Sequence, residues 1–573
     1  MRIFEELRGI AFAIGVEIPT DAIDLATSVS VSDSSDNMMW YIDTRLHKFQ
    51  NDEVMNVQDN NLFFLDGYIE NKDEICNKHN TNSWNQAFSC EIDGGGPNML
   101  RGGFCGFVYN GEKYRLFVDQ VGNRPLYYYA KGNVFILSTR LFFITEILKA
   151  SNIKCSIDEQ AVKYLLSLGF MPDDTTICED IKRVCPGTYV DLFMDGRREE
   201  KQYYILNNTC IETNMTFGDA IDGLDFYFRE AIRREFEKDK EYGYRYLVDL
   251  SGGLDSRMTS WVAHDMGYED QINIAYCQKE YLDFDIAQRI ACDLRHKFIY
   301  MPLDDFKWFE DIEINTRMLN CAVPYVGATG AHHILDIIKG SNCGIEHTGM
   351  VGDSIIGTFY NKREYNYSKP VGNENAFSTF LKYDVPKEIL DKYENREQFS
   401  IYTRGLLGAQ SSYMLRQNYF ETASPFLDAD FLSFILSVPF KYRVGHKLYL
   451  AWLDAKYPDS TRYGWEKWHG VRPTEKAKRI EKKYYQMKYV FNKTISKALY
   501  GSVRAGMTPI DYWYEEYEDT RLIVEKYFND SVDVIKTYLS KELLSDMKKM
   551  FWEGNVGEKE QVVTTCAAIM QLL

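Results

Sequence analysis

The residues whose types and spacing could do chemistry are the six from Ser251 to Ser256, Ser-Gly-Gly-Leu-Asp-Ser. Before them, Tyr244 to Leu250 reads as a short buried strand; after them, the stretch from Ser256 to Gly267 reads as a helix. The glycine pair falls in the turn between. Missing side chains there let backbone N–H groups approach an anion, and the helix N-terminus adds its positive end. This is a cradle for phosphate. No lysine follows as in G-x-x-x-x-G-K-[ST], so the turn is not the kind that holds terminal phosphates for transfer. Asp255 offers an oxygen ligand to Mg2+, and the hydroxyls of Ser251 and Ser256 offer donors to phosphate oxygens. Two cations commonly neutralise a triphosphate, so a second acidic element is expected. Asp353 supplies one in another glycine-bounded turn, Thr348 to Gly357.

The elements that position these turns follow from the wider pattern. At 573 residues the chain exceeds what one hydrophobic core usually organises, which predicts two large domains. From about residue 10 to 205 short apolar runs alternate with turn signals, as in Leu62 to Leu65, Tyr114 to Val118, Leu126 to Tyr129 and Val134 to Leu137. Gly9 to Ile18 reads as an early buried strand rather than a secretory signal, because Glu5 and Glu6 precede it and no small-residue cleavage site follows. Asp158 is placed to cap a helix running through Leu168. From Phe217 the texture changes to long amphipathic helices, such as Gly218 to Lys238, interleaved with buried strands such as Gln271 to Cys277. The expected division is residues 1–205, a linker at 206–216, and 217–573, the last an α/β arrangement becoming helical toward its end. Glu475 to Lys493, rich in Lys and Arg, reads as the solvated face of a helix.

Composition narrows the partners. A formal charge of −18 argues against general affinity for nucleic-acid phosphates, which draws on Lys and Arg. The hydrophobic share of 45% with 26% charged residues is that of a globular protein rather than a disordered one. Twelve cysteines without a CxxC pair fit reduced thiols, and no apolar run is long enough to span a bilayer, so a cytoplasmic protein without membrane partners is expected.

Ser-Gly-Gly-x-Asp-Ser matches the ATP-pyrophosphatase loop, whose chemistry cleaves ATP between the α- and β-phosphates and leaves AMP on the substrate. With Asp353 in place, the chain resembles the asparagine synthetase family over nearly its whole length. The order of segments agrees: the loop, Tyr281 to Ala287 opening the next helix, Gly349 to Gly357, Glu421 with Pro425 to Asp428, then Lys447 and Lys467. In the amino half, Leu65 to Asn71 stands where the family has N-G-E-I-Y-N, and Phe117 to Tyr128 resembles R-D-x-x-G-x-x-P-L-Y-Y. The resemblance implies a glutaminase-like N-terminal-nucleophile domain of αββα layers, followed by an ATP-pyrophosphatase domain. ATP and Mg2+ would be bound by Leu250, Ser251, Gly252, Gly253, Asp255, Ser256 and Gly349, with Asp255 and Asp353 as metal ligands. Lys467, and with it Lys447, would be the catalytic cations that offset phosphoryl charge.

The departures shape the function. Family members that use glutamine begin with a nucleophilic Cys, whereas this chain begins Met1-Arg2-Ile3, and its first Cys is Cys76. Position 66 is Asp, which when ionised cannot donate to an oxyanion as the family's Asn does, and Tyr68 replaces the Glu. Arg45 is retained as a carboxylate-binding candidate. Met350 replaces the Glu or Tyr that helps to deprotonate the incoming amine, leaving Glu346 and His347 as nearby alternatives. The expected activity is ATP-dependent amide formation between a small-molecule or peptide carboxylate and an amine, without glutaminase. Variants of that reading are a β-lactam or lasso-peptide macrolactam cyclase and the amidation of a carboxylated sugar. A non-catalytic ATP-binding protein is the reading from another class. Transfer-RNA thiolation is disfavoured by the absence of cysteine pairs and of a basic surface. A homodimer is left open.

Overall fold

The computed structural model describes residues 6–16, 30–34, 37–56, 62–93, 95–209, 211, 213–328, 330–374, 376–474, 476–477 and 506–572, with isolated positions 487, 490 and 494. Most of the basic stretch from Glu475 to Lys493 therefore lies outside the described residues.

Alternating apolar positions build the amino-terminal part. Its strands are β1 (Ile10–Ile14), β2 (Ser30–Ser34), β3 (Asn37–Asp43), β4 (Val54–Asn56), β5 (Leu62–Gly67), β6 (Phe104–Tyr109), β7 (Lys113–Val118), β8 (Tyr127–Lys131), β9 (Val134–Ser138), β10 (Ile181–Arg183), β11 (Thr188–Phe193) and β12 (Arg198–Gln202). They form two six-stranded sheets, ordered β10-β8-β9-β1-β3-β2 and β12-β11-β7-β6-β5-β4, with every pairing antiparallel. Their inner faces meet in one buried cluster: Ile10, Phe12 and Leu137 from the first sheet, Phe64, Phe107 and Leu116 from the second. Helices cover both outer faces. On the second sheet, α1 (Lys72–Lys78) and α2 (Trp84–Asp93) pack Ile75, Trp84 and Phe88 against Leu65 and Phe117. On the first, α3 (Leu141–Ala150) and α4 (Glu159–Leu168) share a core with Ala11, Ala13 and Ile136. The layers run helix, sheet, sheet, helix. Asp158 caps α4 by accepting from the N–H groups of Gln160 and Ala161, as its position before the apolar run predicts.

A third sheet follows, of β13 (Arg245–Asp249), β14 (Gln271–Cys277), β15 (Lys297–Pro302), β16 (Cys343–His347) and β17 (Glu421–Ala423). All four pairings are parallel, in the order β15-β14-β13-β16-β17. The helices before, between and after these strands include α5 (Phe217–Glu241), α6 (Asp255–Asp265), α7 (Leu282–Asp293), α8 (Ile312–Met318), α9 (Ala331–Ile338), α10 (Gly352–Ile356), α11 (Tyr413–Arg416), α12 (Ala429–Ser437) and α13 (Lys447–Lys456). The chain closes with α14 (Ile510–Glu516), α15 (Glu518–Ile535), α16 (Lys541–Glu553) and α17 (Val556–Leu572).

β14 and β16 are buried along nearly their whole length, whereas the edge strand β15 is only partly buried. Val248 packs toward Phe236, Met258 and Val262, whereas Leu247, Ile272 and Ile274 pack toward Ile334 of α9 and Val562 of α17. Strand order reverses between β13 and β16, the place where open parallel sheets hold ligands outside their carboxyl ends. No helix among the described residues is long and apolar enough to cross a membrane.

Candidate active site

The turn that leaves β13 at the reversal point is the Ser251 to Leu254 loop, and α6 starts at Asp255. The loop is organised by its own hydroxyls. Ser256 Oγ accepts from Ser251 N–H at 3.0 Å and lies 3.0 Å from Ser251 Oγ, which accepts from Gly253 N–H at 3.1 Å. Leu250 continues the sheet, its N–H donating to Ile274 O, and its side chain is buried. It supports the loop from beneath.

Two glycines are set by close approach. A Cβ on Gly252 would meet the Asp283 backbone at 3.0 Å, and one on Gly349 would fall 2.2 Å from Ser256 N and 2.4 Å from Asp255 C. The Thr348 to Gly352 turn thus lies directly on the first turn of α6, where Thr259 Oγ1 donates to Thr348 O.

This contact brings the two predicted acids together. Asp255 Oδ2 accepts the Asp353 N–H at 2.8 Å, and Asp255 Oδ1 accepts the Tyr449 hydroxyl at 2.9 Å. Burial, then the charge of Asp353, pushes the Asp255 carboxyl up to about 7. Burial acts on Asp353 in the same direction, but Lys467, with Nζ 2.7 Å from Asp353 Oδ2, holds that carboxyl below its ordinary range. Lys467 is half-exposed, at 51% for the side chain, so its amine stands at the mouth of the site.

Sequence reasoning missed what holds Lys467 there. Arg257, buried in α6, donates to Gly252 O at 3.1 Å and to Gly464 O at 2.6 Å, and Glu466 N–H donates to Gly252 O at 3.2 Å. Asp283, at the start of α7, accepts the Gly252 N–H at 2.6 Å. Its carboxyl is pushed up to about 7 by burial and by nearby Glu466. The acidic run at residues 283–285 was the available signal, but nothing local pointed it at the loop. Lys447 is not brought to the acids: it is exposed at the start of α13, its amine 4.9 Å from the centre of the Phe217 ring. Tyr449, two residues on, is the α13 side chain that reaches Asp255.

Beside the loop, on the carboxyl ends of adjacent strands, lies a buried polar cluster. Arg416 of α11 bridges Asp249 of β13, at 3.2 Å, and Glu346 of β16, and also reaches the Tyr276 hydroxyl of β14. Asp249 Oδ1 and Glu346 Oε2 are buried without a hydrogen-bond partner among the described residues. Burial lifts the Glu346 carboxyl well above its ordinary range, against the pull of Arg416. His347 points to the other face, as strand alternation requires. There it stacks on Phe236 with centroids 3.9 Å apart and bridges Glu235 at 3.1 Å and Asp239 at 3.0 Å. Met350 leaves no acid in its own turn; its side chain packs on the apolar cluster around α5 and α13.

A family model described as a glutamine amidotransferase domain matches residues 94–204. The glutamine-hydrolyzing asparagine synthetase 1 of Bacillus subtilis is 25% identical over 203 residues, 34% of this chain and 30% of that protein. A putative glutamine-hydrolyzing asparagine synthetase 2 of Methanocaldococcus jannaschii is 32% identical over 221 residues, 36% of this chain and 41% of that protein. Over these stretches the chain is similar to asparagine synthetases. Its aligned portion spans less than half the length of either relative. The solved glutamine phosphoribosylpyrophosphate amidotransferase of B. subtilis aligns at 10% identity over 46% of this chain and 64% of that one, with a TM-score of 0.20, too low to carry weight.

Of the amino-half positions that depart from the expected pattern, Asp66 is tied into ion pairs and Tyr68 into a hydrogen bond. Asp66 is buried, 3.2 Å from Arg45 and 3.1 Å from Arg124, and despite burial the two guanidiniums hold its carboxyl below the ordinary range. Arg45 is further bound by Asp43 and by Glu53 at 3.1 Å. Arg124 pairs also with Glu421 of β17, joining the antiparallel sheets to the parallel one. Tyr68 donates to Thr422 O at 3.0 Å, and Asn123 Nδ2 to the same oxygen at 2.7 Å.

Proposed function

We propose that this chain is an ATP-dependent amide-forming ligase: it adenylates a substrate carboxylate, releases pyrophosphate, and passes the acyl group to an amine. The observation that carries the proposal is the convergence of Asp255, Asp353 and Lys467 on a glycine turn at the head of α6, outside the carboxyl ends of a parallel sheet. The residues suit Mg2+. Two hard carboxylates stand together, one with its pKa raised by burial and then by the charge of the other, and Mg2+ is typically bound by one or two carboxylates plus substrate phosphates. When bound, it would neutralise phosphate charge. The chain's own groups then have distinct tasks. The loop hydroxyls and N–H groups bind pyrophosphate, and Lys467 offsets charge developing at the phosphorus. Glu346, paired with Arg416 and with one oxygen unpartnered among the described residues, is placed at the strand ends to take a proton from the amine.

The same reading includes a silent glutaminase. Asp66 stays ionised between two arginines and cannot offer an oxyanion a hydrogen, and the guanidinium of Arg45, retained for a carboxylate, is already held by three acids. Ammonia drawn from glutamine is thereby disfavoured as the amine. The test is a panel of carboxylates, L-aspartate among them, incubated with MgATP and ammonium or hydroxylamine. Stimulated AMP and pyrophosphate release, lost in Asp255→Asn, supports the proposal; glutamate release from glutamine by contaminant-free protein would overturn its second part.

A further inference from the structure

Far from the glycine turn in sequence role, three ligand-type side chains converge where α8 and α9 begin. Asp311 immediately precedes α8 without capping it through its side chain, and His332 and His333 stand in the first turn of α9. One ligand atom from each lies within 4.8 Å of the others, and this is the one such group of three or more among the described residues. Asp311 Oδ2 is the shared point, 2.5 Å from His333 Nε2 and 3.9 Å from His332 Nδ1. The two rings stand at 89° to one another, centroids 5.5 Å apart, so they approach the carboxylate from different directions rather than stacking.

We propose that Asp311, His332 and His333 form a binding site for a borderline divalent transition ion of the Zn2+ class, separate from the nucleotide site. The donor set decides the ion. Two imidazoles and one carboxylate suit Zn2+, Co2+ or Ni2+ and are poor ligands for Mg2+, whereas the all-oxygen pair Asp255 and Asp353 has the opposite preference. Ligand atoms around a tetrahedral Zn2+ lie roughly 3.3 Å apart, given bond lengths of about 2.0–2.1 Å. The three ligand atoms, within 4.8 Å of one another, would adjust to that spacing by ring rotation at side chains that are 18% exposed for His332 and 39% for His333. An ion pair alone would need only His333.

The surroundings supply what such a site requires beyond its ligands. Asn315, buried one turn along α8, holds its Oδ1 3.0 Å from His332 Nδ1 and fixes the ring beside Asp311 until an ion takes that nitrogen. Asp305 and Asp336 add negative potential around the histidines, with Lys339 on the opposing side, itself bound to Asp336 at 2.8 Å. Three protein ligands leave further coordination positions to water.

The experiment is titration of the chelator-treated, dialysed full chain with Zn2+ against a chromophoric competitor, and with Co2+ followed by its visible spectrum. One equivalent of each should bind. His333→Ala and Asp311→Asn should abolish it. Unchanged circular dichroism of the metal-free variants establishes that they fold. Binding that persists in both ligand variants, or no stoichiometric binding by the parent chain, would overturn the proposal.

Discussion

Replacing Asp255 with asparagine should stabilise the fold while abolishing nucleotide binding. In the folded protein the Asp255 carboxyl is raised from an ordinary 3.8 to about 7, first by burial and then by Asp353. An acid shifted upward stabilises the fold only while it holds its proton, so the associated stability is present below pH 4 and is lost as pH rises through 7. Three units at 1.36 kcal/mol each put the full penalty at about 4 kcal/mol above pH 8, and only about 1 kcal/mol of it is in force at pH 4.5. Asparagine carries no charge and keeps both contacts: its carbonyl can accept the Asp353 N–H, and its amide can donate to the Tyr449 hydroxyl. The advantage of Asp255→Asn over the parent should therefore grow by about 3 kcal/mol between pH 4.5 and 8.5. Urea midpoints across that range measure it. MgATP should raise the parent's midpoint at pH 8.5 and leave the variant's unmoved. A variant less stable than the parent at pH 8.5, or an advantage flat with pH, would refute the reasoning.

Other outcomes follow from the same geometry. Gly349→Ala drives a Cβ into backbone at Ser256 and Asp255, where nothing flexible can yield, and should weaken MgATP binding by at least about tenfold in calorimetry. His347, charged with a pKa near 9 between Glu235 and Asp239, contributes stability that is complete below 6.5 and fades as pH passes 9. His347→Gln should lower the melting temperature at pH 6 and flatten its decline toward pH 9. Arg124→Ala removes one partner from a buried network and should cost about 3–5 kcal/mol in denaturant unfolding, without restoring glutamine hydrolysis. Lys467→Met, changing a half-exposed side chain, should leave folding intact and lower kcat far more than nucleotide affinity in a carboxylate-stimulated assay.

Local features were legible in the sequence because they follow from local physics. The Asp158 cap, the strand from Gln271 to Cys277 and the glycine turn each need only their own neighbours, and they stand where their patterns place them. Within the apolar stretch from Gly9 to Ile18 a strand runs over Ile10–Ile14, and residues 17 and 18 lie outside the described residues. Contacts across the chain were not legible. Gly252 meets Asp283, Asp66 meets Arg124 and Arg124 meets Glu421 because three sheets close on one another, and no spacing records that. Two discriminations were within reach of periodicity. Adjacent Glu346 and His347 must face opposite sides of a strand, which separates a side chain by Arg416 from one buried against α5. On a helix, Lys447 and Tyr449 cannot share a face, so family order alone could not say which of them reaches Asp255.

The most direct test of adenylation is the fate of radiolabelled ATP. With α-labelled ATP, Mg2+ and the stimulating carboxylate, the account predicts label in AMP, with equimolar pyrophosphate and an amide product once amine is added, and none of these from Asp255→Asn. Label appearing in ADP with release of inorganic phosphate would contradict it.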